Sequence, residues 1–116
     1  MNFLEAIELG LQKANEAERI KSELIDVLVK LNIALAKFTN SDVIAFDISD
    51  DSISQLSPIK VDFNNFSYPM RLECGNRIMR VESFRLFVEN LYVCIKTATF
   101  GDFVREHMKI KTYNKS

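Results

Sequence analysis

Residues 59–82, IKVDFNNFSYPMRLECGNRIMRVE, decide the fold class. Ile59, Val61 and Phe63 alternate with Lys60 and Asp62, the period-two pattern of a strand with one face in water. Asn64 and Asn65 supply a turn. Tyr68–Cys74 and Arg77–Glu82 then flank Gly75-Asn76, a two-residue hairpin signal with the glycine first. That turn sets a register. Leu72 faces Met79 and Met70 faces Val81 on the buried side, while Arg71 faces Arg80 on the other side, beside Glu73 and Ile78.

Upstream of this stretch, Val43–Ile48 alternates with Ile44, Phe46 and Ile48 on one face. Asp50 to Pro58 reads as a polar loop carrying a short turn. Together, residues 43–82 predict one four-stranded antiparallel sheet, a meander ending in the Gly-Asn hairpin. Residues 2–38 have one glycine and no proline. Their apolar or small residues, from Phe3 through Ile7, Leu11, Ala14, Ala17, Ile20 and Leu24 to Phe38, are spaced by threes and fours. This is a helix with a seam near period 3.5. Asn2 followed by Glu5 resembles an N-terminal cap. At the standard rise the helix is about 55 Å long, whereas a compact chain of this size is roughly 35 Å across. The helix must bend, break at Gly10 or Asn15, or project. From Leu24 to Phe38 it is apolar nearly all round and belongs in a core. From Phe3 to Lys21 the apolar stripe is narrow and suits a single helical partner.

Downstream, Ser83 caps a helix whose inner face is Phe84, Phe87, Leu91, Ile95 and Ala98. Thr99 followed by Asp102 resembles a further cap, placing a last helix from Phe100 to about Met108. The expectation is a single α+β domain over 1–116: long helix (2–38), sheet (43–82), two helices packed on one face (84–108) and a polar tail (109–116).

With 116 residues, 47% of them apolar, the chain is long enough for one real core. The net charge of −1 gives no general pull toward nucleic acid or acidic membranes. Its distribution is uneven: residues 42–70 carry 1 basic and 5 acidic groups, and residues 71–116 carry 9 basic and 5 acidic. No apolar run approaches a membrane span, and the Met-Asn-Phe-Leu-Glu start lacks the bases of a signal peptide. Cys74 and Cys94 form neither a disulfide framework nor a metal pattern. A cytoplasmic protein with reduced thiols is expected.

The search for chemistry returns little. One histidine, His107, cannot build a histidine-rich metal site. Both cysteines fall at positions patterned as buried, which argues against a Cys-His nucleophile. Asp47, Ser49 and Asp51 start a calcium-loop spacing, but Ser52 stands where glycine is required and Pro58 where the bidentate glutamate is required. Asp47, Asp50 and Asp51 are therefore read as an acidic loop available to a partner, against the plainer reading of a solvated edge. Arg71, Arg77 and Arg80 lie on or near one hairpin, with Lys60 on the neighbouring strand. They are a candidate patch for an acidic partner, a nucleotide or RNA, against cancellation by Glu73, Glu82 and Asp62. Phe100, Phe103, Met108 and Tyr113 suit a core face better than a docking surface.

These readings predict no catalytic residue, no metal and no cofactor. They point to a non-catalytic protein that works by occupying a macromolecular partner, as immunity proteins, antitoxins and phage inhibitors of host systems do. The alternatives are a homodimeric assembly or chaperone-like protein, pairing through Ile7, Leu11, Ala14, Ala17 and Ile20, and an RNA- or nucleotide-binding module using the hairpin arginines.

Overall fold

A computed structural model of the chain describes residues 1–50 and 52–115, with side chains for residues 1–50 and 52–108. The chain opens with α1 (Phe3–Thr39), one continuous helix of 37 residues that passes through Gly10 and Asn15 without a break. The Asn2 side-chain oxygen accepts from the Glu5 amide at 2.9 Å, as the cap reading requires. At the far end Asn40, at φ 51, turns the chain out of the helix, and its amide donates to the Ala36 carbonyl.

The sheet differs from the expectation. Two antiparallel sheets replace the single four-stranded one: β1 (Phe46–Ser49) pairs with β2 (Ser52–Gln55), and β3 (Lys60–Asp62), β4 (Met70–Cys74) and β5 (Arg77–Val81) form the second. The segment read as a polar loop supplies β2, whose Ile53 stands opposite Ile48. Leu56-Ser57-Pro58-Ile59 then separates β2 from β3, and Pro58 has no amide hydrogen to carry a ladder onward. A side chain spans the gap instead: Gln55 Nε2 donates to the Val61 carbonyl at 2.9 Å. The strand expected over Val43–Ile48 starts only at Phe46. Upstream of it the amides of Ala45 and Phe46 donate to the Asn32 side chain rather than to a neighbouring strand. β4 starts at Met70, after Pro69, for want of an amide at the proline.

The hairpin register is the one read from sequence. Met70 opposes Val81, Leu72 opposes Met79 and Arg71 opposes Arg80, with Gly75 at φ 58 in the first turn position, where a side chain would be strained. Between β3 and β4 a single 3-10 turn, Asn64–Phe66, holds three successive residues at positive φ. Asn64 Nδ2 ties it down by donating to the carbonyls of Ser67 and Pro69.

α2 (Phe84–Ile95) lies on β4 and β5, capped by Ser83, whose hydroxyl accepts from the Leu86 amide at 3.2 Å. α3 (Ala98–Lys115) packs against α1 and α2. Its start also shifts. Thr97, not Thr99, supplies the capping oxygen, accepting from the Phe100 amide at 3.3 Å. Ala98, expected on the inner face of the preceding helix, is exposed at the first turn of α3.

The core joins Leu24, Leu28 and Leu35 of α1 to Phe46, Ile59, Leu72, Val81, Phe87 and Cys94, all buried. Each such side chain contributes about 1.5–3 kcal/mol by leaving water. Ile20 is the first α1 residue inside it, at 4% exposure. Everything N-terminal to Ala17 is exposed. Of the three options for an overlong helix, α1 projects. The molecule measures 69 × 29 × 17 Å with a radius of gyration of 17.2 Å, against about 13 Å for a compact chain of this length.

Candidate protein-binding surface

The projecting part of α1 brings its apolar stripe into solvent, with no described residue from outside α1 against it. Phe3 is 89% exposed, Ile7 68% and Leu11 61%, and Ala14 is exposed as well. Of the five residues predicted for self-association, Ile7, Leu11 and Ala14 lie on this arm and Ala17 is half-buried where the arm meets the body. Ile20 does not belong with them. It is in the core because the 3-10 turn folds against α1 at this point, with Lys21 Nζ 5.7 Å from the Phe66 ring centroid.

An isolated helix end needs local support, and the sequence supplies it at the junction. Arg19 donates to Glu16 and, at 2.6 Å, to Glu23, one turn away on either side. The Arg19 guanidinium holds the Glu16 carboxyl below its ordinary range, mainly through their hydrogen bond.

Two more apolar surfaces belong to the body. A hollow of about 560 Å³ lies between α1 and α3, lined by Leu31, Ala34, Phe38, Phe100, Val104 and Met108 among others. On the outer side of α1, away from the core, Val29 is 38% exposed and Ile33 54%. The sequence reading had merged both into a helix half that is apolar all round. It takes the packing of α2, α3 and β1 to show which sectors are covered.

The basic hairpin is electrostatically balanced on its outer face. Arg71 stands between Arg80 on one side and Asp62 on the other. Arg80 Nε lies 3.3 Å from a Glu82 carboxylate oxygen, and both side chains are well exposed. Lys60 is opposite Glu73. Arg77 opposes Cys74, whose side chain is buried under α2, so Arg77 sits at the other face of the sheet from Arg71 and Arg80. Asp47 is exposed on β1 and Asp50 forms the turn after it at φ 50, both on the two-stranded sheet, separate from the arginines. Asp51 lies outside the described residues, as does the Tyr113 side chain.

Phe100 is buried, Phe103 is partly buried against its ring at 5.6 Å, and Met108 is 40% exposed. His107 Nδ1 bonds the Phe103 carbonyl one turn back at 2.9 Å. Cys74 and Cys94 are buried free thiols. Burial pushes the Cys94 thiol up to about 12, with contact to Cys74 adding to the shift and Arg77 opposing it; such a thiol is a poor nucleophile. Among the described residues no three His, Cys, Asp or Glu side chains converge on a metal position. No described helix is long and apolar enough to cross a membrane. No protein family, curated protein or solved structure matches the chain.

One organising residue escaped the sequence reading. Asn32 Oδ1 accepts from the amides of Ala45 and Phe46 at 2.8 and 3.2 Å, and its Nδ2 donates to the Phe46 carbonyl at 2.7 Å. A polar residue inside the otherwise apolar run Leu31 to Ala36 was the available signal.

Proposed function

We propose that this is a non-catalytic binding protein that acts by occupying a macromolecular partner, and that the N-terminal arm of α1 is the binding element. The observation carrying this reading is the arm itself. Phe3, Leu4, Ile7 and Leu11 are large apolar side chains, each more than 60% exposed, along one free helix end. Contiguous apolar surface of this kind marks interaction sites, and an amphipathic helix presenting residues at three- and four-residue spacing is a standard means of docking to another helix or a groove. Each such side chain moved from water into an interface contributes on the order of 1.5–3 kcal/mol. The balanced charges around Arg71 and Arg80 favour this reading over nucleic-acid binding, which draws its affinity from uncompensated positive charge.

The test is a photo-reactive residue at Leu11 in the full chain, irradiated in its native cells. A discrete covalent protein adduct is expected there, and none from the same group placed at exposed Lys96. No adduct at Leu11, or equal labelling at both positions, rejects the arm as a binding element.

A further inference from the structure

The geometry points to a second copy of this chain as the arm's occupant, in a two-fold, antiparallel pairing of α1 with α1. This inference rests on the arm being a protein-binding element and names what it binds. At ~3.6 residues per turn, Leu4, Ile7, Leu11 and Ala14 of the arm and Ile25, Val29 and Ile33 of the body half all fall within about 100° of arc. That arc faces away from Leu24, Leu28 and Leu35, which fill the core. β1 covers α1 on one flank of the arc, where Asn32 binds it, and α2 and α3 lie beyond the other. The outer sector therefore carries an open apolar seam with a gap in the middle, where Glu18 and Ser22 stand.

The seam is nearly symmetric about residue 20. Ile7 and Ile33 lie thirteen residues either side of it, and Leu11 and Val29 nine. A two-fold axis beside residue 20 consequently sets Ile7 of one copy level with Ile33 of the other, and Leu11 level with Val29, twice over. Each arm then covers the exposed outer face of the other copy's body, and the polar centre pairs Glu18 with Ser22. Two-fold pairing is the commonest closed assembly because one patch serves both copies.

Charge selects this orientation. On one flank of the seam Glu5 and Glu8 sit on the arm, and Lys30 and Lys37 on the body half, all exposed. Antiparallel pairing brings Glu8 within a turn of Lys30 and Glu5 within a turn of Lys37 across the interface. Lys30 already shares Asp26 at 3.2 Å on its own helix, leaving its charge available to both. Parallel pairing in register would put these charges on opposite sides of the seam, forming neither glutamate–lysine contact, and would crowd both bodies at one end.

The test uses the full chain with cysteines introduced at the seam, the natural cysteines being buried. Mild oxidation of the Ile7→Cys, Ile33→Cys double variant should give a covalent dimer. So should an equal mixture of the two single variants, whereas neither single variant alone should. Glu8→Lys should weaken the dimer about three- to ten-fold, and adding Lys30→Glu should restore it. Cross-linking of Ile7→Cys with itself overturns the antiparallel register. A scattering mass of one chain at every soluble concentration overturns self-pairing altogether. If the photo-adduct at Leu11 still forms with a different protein in that case, the arm remains a binding element and only its occupant is wrong. If no adduct forms, both readings fall.

Discussion

Asn32 joins two elements of the fold through one polar side chain. It satisfies two amides and a carbonyl at the start of β1 and fastens that strand to α1. Leaving buried backbone groups unmet costs about 1–3 kcal/mol each time. Asn32→Ala should therefore destabilise the protein by about 2–4 kcal/mol in urea unfolding, well above the cost of an exposed helical substitution. Asn32→Asp should also destabilise, because its carboxylate loses the donor to the Phe46 carbonyl and faces that oxygen with negative charge. Cys94 offers a pH-dependent counterpart. Its folded value is raised from 9.0 to about 12, principally by burial. The sign follows directly: the folded state holds the thiol proton more tightly, so this contribution to stability is complete below pH 9.0 and is lost as pH climbs toward about 12. Melting temperature should fall over that interval, and the fall should be shallower in Cys94→Ala.

Among elements, α1 is two helices in one in physical terms. Its C-terminal half is stabilised by burial, whereas its N-terminal part relies on the Asn2 cap and the Glu16–Arg19–Glu23 pairs. The same chemical change should thus have opposite consequences at two positions on the seam. Ile20→Asp places a carboxylate in the core and should cost about 3 kcal/mol or more, because a charge is buried unpaired. Leu11 is 61% exposed, so Leu11→Asp should leave the monomer's unfolding free energy within about 0.5 kcal/mol while abolishing binding through the arm. The hairpin supports a further contrast. Arg71 and Arg80 are a like-charged cross-strand pair, compensated by Asp62 and Glu82 in exposed positions. Such pairs contribute little, so replacing both arginines with serine should shift stability by less than about 1 kcal/mol by urea titration. Unfolding of that variant would show that the compensating pairs are structural.

Over the whole molecule, one dimension dominates the shape. The long axis of 69 Å is more than twice the next, 29 Å, and α1, about 55 Å long, supplies most of it. A variant with Ile7→Asp and Leu11→Asp should be a single chain in solution with the arm still extended. Small-angle scattering of that variant should give a radius of gyration near 17.2 Å, and not the roughly 13 Å of a folded-back chain. A value near the compact one would mean that the arm folds back on its own body. The net charge of −1 works in the same direction as the exposed seam, since it provides almost no long-range repulsion between copies.

Some of this was determined by the sequence alone. Apolar spacing of three and four specifies α1, the Gly75-Asn76 turn with flanking alternation specifies the β4–β5 register, and Ser83 specifies where α2 begins. Each is a local preference that needs no distant residue to express it. The exposed apolar stripe of the arm was legible in part for the same reason: period reveals Ile7, Leu11 and Ala14. Tertiary structure decided the remainder. Whether residues 52–55 form a strand depends on β1 being present to accept their hydrogen bonds. Whether Ile20 lies in a seam or a core depends on the turn that folds over it. Whether the outer face of α1 is open at Val29 and Ile33 depends on where α2, α3 and β1 come to rest. These are outcomes of non-local packing, where residues far apart in the chain compete for one surface, and helical periodicity is blind to the winner.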